Sequence, residues 1–192
     1  DRSTDEAGVG LLMVDNRGNN KQYAGAVESI YQFKQIKATG YGHIEFMGNV
    51  SSLTITSGLG MTGDNTKPVI KVSGTLLYTG NETLMIDGVD LGINGKMEGM
   101  GDVQIGGTNA GGMSFYGMTW YHNKNTPYQL QNVLVKSNGT ITMNGYNNGD
   151  SDWTNDSGPS LVVSSITTEA GSLITATGKG YGAEKGPGYV YR

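Results

Sequence analysis

The chain has 192 residues, a net charge of −4, a charged fraction of only 16%, 32 glycines, four prolines and no cysteine. This composition argues against a helical bundle or a disordered tail, and the missing thiols exclude a disulfide-stapled scaffold and a thiolate metal site. Lys and Arg are scattered, so no basic footprint for nucleic acid exists, and no run nears the roughly 18 apolar residues of a membrane-spanning helix.

The length suits one domain. Residues 1–35 read as an N-terminal capping or leading segment, with one apolar strand at Gly10 to Val14 and a turn over Asn16 to Asn20. From Ala24 to Gln35 a helical turn is expected, because Val27, Ile30 and Tyr31 fall at i, i+3 and i+4.

Residues 36–192 are written as short rungs in which two apolar residues one apart are followed by glycine. The copies are Ile44-x-Phe46-x-Gly48, Ile70-x-Val72-x-Gly74, Leu84-x-Ile86-x-Gly88, Leu91-x-Ile93-x-Gly95 and Val103-x-Ile105-x-Gly107. Met113-x-Phe115-x-Gly117, Ile141-x-Met143-x-Gly145 and Ile174-x-Ala176-x-Gly178 follow, and Thr54-x-Thr56-x-Gly58 is a polar variant. Alternation of period two puts both apolar side chains on one face of a strand, and glycine permits the corner that ends it. The segment from Ser137 to Gly145 matches the one from Ala170 to Gly178 at an offset of 33 residues. Coils of roughly 20 to 33 residues give six or seven in the chain, with loops bulging at residues 121–126 and 147–159. The expected fold is therefore all-β: a parallel, right-handed β-helix, or β-solenoid, of about six or seven irregular coils. A β-sandwich or jelly roll is the alternative that the same short strands allow.

Ala170 to Gly182, followed by Gly186-Pro187-Gly188, resembles segments of large extracellular β-helix proteins, the bacterial filamentous adhesins and the mastigoneme-like surface glycoproteins. Ser52 to Ile55, and Val133 to Val135 before Asn138 to Ile141, are similar to the same proteins. The resemblance implies an extracellular or cell-surface setting and a structural role. Such proteins are usually much longer, so the chain reads as a segment of one. Four Asn-x-Ser/Thr sequons, at Asn49, Asn81, Asn138 and Asn155, are candidate glycosylation sites in that setting.

Chemistry-bearing groups are sparse. His43 and His122 stand far apart in sequence, and no Gly-x-Ser-x-Gly elbow accompanies them. Asp150, Asp152 and Asp156 offer alternate oxygen ligands that suit loosely held Ca²⁺, though a solvated turn is the commoner meaning of such a stretch, and no other cofactor is expected. Asp87 and Asp90 straddle Gly88 and are expected to face solvent at a corner, unlike the paired aspartates of polygalacturonase-like enzymes. Gly178-Lys179-Gly180 lacks the ending of a phosphate loop.

The best ligand surface is aromatic. Tyr116, Trp120, Tyr121 and Tyr128, interleaved with His122, Asn123 and Asn125, suit carbohydrate, as does Trp153; flat rings stack on sugar faces while amides meet hydroxyls. The competing expectation places Phe115 and Trp120 inside, with the tyrosines as an external ladder. The reading that follows is a non-catalytic structural or adhesive subunit of an extracellular filament, sheath or surface coat, with other subunits or domains, or copies of itself, as partners. The alternative is a carbohydrate-binding or polysaccharide-cleaving β-helix protein.

Overall fold

The computed structural model describes residues 10–19, 24–27, 30–47, 52–117, 126–146 and 158–176. These contain strands and turns and no helix, and every strand pair is parallel. The alternating rungs wind into a three-sided solenoid, because period two leaves each short strand one apolar face that only a neighbouring coil can cover.

Side one holds β1 (Gly10–Asp15), the second half of β3 (Ile30–Thr39), β6 (Met61–Thr62), β9 (Leu84–Asp87), β12 (Val103–Ile105), β15 (Asn132–Val135) and β18 (Ser165–Thr168). Side two holds β2 (Ala24–Val27), β4 (His43–Phe46), β7 (Val69–Val72), β10 (Asp90–Ile93), β13 (Gly111–Tyr116), β16 (Gly139–Asn144) and β19 (Leu173–Thr175). Side three begins with the first half of β3, then β5 (Ser52–Ile55), β8 (Thr75–Tyr78) and β11 (Lys96–Glu98). It resumes as a separate pair, β14 (Tyr128–Gln129) with β17 (Leu161–Val162).

Among the described residues seven strands stack on side one and seven on side two. Among the described residues, no third-side strand follows β18 and β19.

Two features of the leading segment differ from expectation. The stretch from Ala24 to Gln35 is not helical: β2 and β3 occupy it, and Tyr31 and Phe33 alternate inward along β3 opposite Leu53 and Ile55. The i, i+3, i+4 match of Val27, Ile30 and Tyr31 misleads because Ile30 points outward and is 76% exposed. Moreover β1 pairs with β3 and β2 with β4, so β1, β2 and the first half of β3 stack on the coils after them in the same way as later strands do.

Like residues pile up inside. On side one the registers align Leu12, Ile36, Met61, Ile86, Ile105 and Val135. On side two they align Ile44, Ile70, Leu91, Met113, Ile141 and Ile174. Most of these side chains are fully buried, and each buried aliphatic side chain contributes about 1.5–3 kcal/mol.

The corner between sides one and two is held by polar clamps across coils. Asp64 accepts from the Gly40 amide, and Asp87 accepts from the amides of Thr108 and Asn109. Asn138 accepts from Gly107 N and donates to Gly107 O, and Glu169 accepts from Ser137 N and pairs with Lys136 at 2.8 Å. Asp87 is therefore buried, at 7% exposure, and not the solvent-facing corner group expected from its place beside Gly88.

Coils also approach closely at Gly95, where a Cβ would overlap the Gly74 carbonyl oxygen. Gly95→Ala should thus destabilise the chain strongly. Leu91→Ala, emptying a site between Ile70 and Met113, should cost about 2–5 kcal/mol. Urea unfolding of both variants checks this; wild-type stability in either would contradict the stacking described.

Candidate functional site

Among the described residues, the outer surface of side two carries a group of chemically capable side chains. Alternation sends His43 and Glu45 of β4, Val69 and Lys71 of β7, Asp90 and Gly92 of β10, and Gly112, Ser114 and Tyr116 of β13 outward. Parallel register then sets Glu45 beside Lys71, Lys71 beside Gly92, and Gly92 beside Ser114.

Lys71 Nζ lies 3.9 Å from Glu45 Oε2, and Ser73 Oγ donates to Glu45 Oε1. Burial holds the His43 imidazole below its ordinary pKa; the Lys71 ammonium lowers it further, against the opposing pull of Glu45. The Asp90 carboxyl leans across Gly112, where a Cβ would collide with its Oδ1. Burial raises its pKa, partly offset by Lys67. Asn94, just beyond β10, keeps its Oδ1 out of solvent without a donor.

Of the expected aromatic surface, the described residues are Tyr116, which reaches this face, and Tyr128, which does not. Tyr128 is fully buried and cannot stack on a sugar. Its ring meets Phe115 edge-on at 4.9 Å, and its hydroxyl lies 3.0 Å from Ile93 O and 3.1 Å from Tyr116 O while accepting from Tyr116 N. β14 is two residues long with Tyr128 inward, so a side chain read as a ligand platform instead fixes the end of β13 and the backbone of Tyr116. Phe115 is interior, as one of the two readings had it. Trp120, Tyr121, His122 and Trp153 lie outside the described residues.

The same holds for Asp150, Asp152 and Asp156, and for the sequons at Asn49 and Asn155. Among the described residues no group of three or more His, Cys, Asp or Glu side chains could hold a metal ion. Asn81 is exposed in the bend between β8 and β9. Asn138 is half-buried, and its amide is engaged with Gly107 through both Oδ1 and Nδ2, so it serves the corner clamp.

Sequence reasoning did not foresee the cluster of His43, Glu45, Lys71 and Asp90. Its signal was present: each residue precedes or separates the apolar pair of its rung, and stacking the rungs in register superposes them.

No family model, curated protein or solved structure matches the chain.

Tyr128→Phe removes the hydroxyl that lies between the Ile93 and Tyr116 carbonyls and accepts from Tyr116 N, and should cost about 1–2 kcal/mol in urea unfolding. His43 should titrate in NMR with a midpoint below 6.5. Because the folded state holds that proton less tightly than the unfolded chain does, His43 contributes stability fully above about pH 6.5, and this is lost as pH falls through its folded pKa. An unshifted His43 midpoint, or a Tyr128→Phe variant as stable as wild type, would contradict the packing described.

Proposed function

We propose that the chain is a non-catalytic structural or adhesive unit of an extracellular filament, sheath or cell-surface coat, and that its coils associate end to end with another subunit. One observation carries the reading. At the last described coil, Ile166 and Ile174 continue the interior ladders of Val133 and Ile141, yet they are 41% and 46% exposed. Leu173 and Val162 beside them are 52% exposed. Among the described residues β18 and β19 have no strand on their far edge, and neither do β1 and β2 at the opposite end.

An edge with no partner strand among the described residues, over an apolar floor, is a template for one more coil. Because the two ends differ, such contact is head-to-tail, and head-to-tail contacts that do not close on themselves generate filaments. The resemblance of the terminal rungs to filamentous-adhesin and mastigoneme-like proteins agrees with this role, and so does the exposed Asn81 sequon for a glycosylated, extracellular chain. The function is then mechanical: hydrogen bonds between neighbouring coils resist unravelling.

Electron microscopy and sedimentation of the purified chain test the proposal. Wild type should form linear assemblies at micromolar concentration. Ile166→Asp with Ile174→Asp should abolish them while the melting temperature stays near wild type, since both positions are exposed. A wild-type chain that remains a dispersed monomer at every concentration would contradict the proposal.

A further inference from the structure

The chain carries both halves of a junction. Among the described residues β18 has no strand on its far edge and β1 has none on its near edge, and both strands belong to side one. Both run in the direction shared by every strand of that side, so β1 of one molecule can follow β18 of another as one more parallel rung. A two-fold contact of β18 with its own copy would either reverse one strand or turn its inner face outward.

The interior columns select the register. Inward residues stay inward only if the junction shifts in steps of two. The column of Leu12, Ile36, Met61, Ile86, Ile105 and Val135 ends at Thr168, and the side-two column that starts at Ala24 and Ile44 ends at Ile174. A copy stacked in line places its Leu12 against Thr168 and its Ala24 after Ile174, so each column resumes with the residue that began it. Its Gly10 then meets Ile166, and Phe33, the partner of Gly10, stands next in that column. Charge agrees with this choice. Sliding the copy by two residues, so that Leu12 meets Ile166, would bring Asp15 beside Glu169, carboxylate against carboxylate. In line, Asp15 falls beside Gly171 instead.

We propose that the partner at the β18 edge is a second copy of this chain, docked through its β1 with Leu12 against Thr168 and Leu11 against Thr167. The inference rests on the end-to-end reading above and names its partner and register. Leu11 and Thr167 both point away from the core and are exposed, so each accepts a cysteine without disturbing its own coil.

The test mixes two full-length single-cysteine variants, Thr167→Cys and Leu11→Cys, at micromolar concentration under mild oxidation. A non-reducing gel reads the cross-links, and electron microscopy of the wild-type chain reads the filaments. A disulfide-linked dimer should form in the mixture and not in either variant alone, because head-to-tail stacking brings 167 to 11 and never 167 to 167 or 11 to 11. Thr167→Cys mixed with Met13→Cys or Asp15→Cys, which report slipped registers, should stay monomeric on the gel. Adding Ile166→Asp and Ile174→Asp to the Thr167→Cys chain should remove the cross-link to Leu11→Cys. Filaments that cross-link through Met13 or Asp15 would overturn the register while leaving end-to-end assembly standing. Filaments in which Thr167→Cys links to none of the three would overturn the contact of β18 with β1, and cross-linking of Thr167→Cys to itself would show a two-fold contact. Dispersed monomers without any cross-link, the outcome if residues 177–192 cover the β18 edge of their own chain, would overturn both readings.

Discussion

The structure depends on one constraint, which is that successive coils pair in parallel and keep the same residues above one another. A short strand such as Val103–Ile105 has too little surface to be stable alone. Between Leu84–Asp87 and Asn132–Val135 it gains hydrogen bonds on both edges and apolar neighbours above and below. Coil length is free to vary under this constraint: Ile36 pairs with Met61, Val103 with Leu84, and Val133 with Ile166, although very different lengths of chain intervene. Insertions therefore go into corners, and the ladders stay in line.

The same constraint determines where chemistry is located. Inward positions are committed to the core, so anything capable of recognition must sit on outward ladders, at corners or at the ends. Corners are largely taken by clamps such as Asp64, Asp87, Asn138 and Glu169, whose side chains bind backbone of the adjacent coil. Among the described residues, the half-exposed apolar floor at Ile166 and Ile174 is engaged by no such clamp. The proposed assembly rests on that floor.

Much of the fold was legible because its signal is local. Apolar pairs one residue apart, closed by glycine, identify Ile70 and Val72, Leu91 and Ile93, and Val103 and Ile105 as core, and each is fully buried. What was not legible depends on contacts between coils. Nothing in the sequence near Asp87 shows that amides some 20 residues later will surround its carboxylate. Tyr128 follows a loop and keeps polar company in sequence, yet a two-residue strand turns it inward onto Phe115. Val27, Ile30 and Tyr31 satisfy a helical period by coincidence, while the strand alternation of Tyr31 and Phe33 is the pattern that packs. The cluster on side two needed the register, since His43, Glu45, Lys71 and Asp90 become neighbours only when three rungs are stacked.

Parallel register is also what a cysteine-free chain allows to be read most directly. On side one, Asn132 pairs with Ser165 and Leu134 with Thr167, all four pointing away from the core. Cysteine pairs placed at 132 with 165 and at 134 with 167 should cross-link rapidly under mild oxidation, while the exchanged pairs, 132 with 167 and 134 with 165, should not. Efficient cross-linking of the exchanged pairs alone would mean that the strands run in opposite directions, and the stacked-coil account would be wrong.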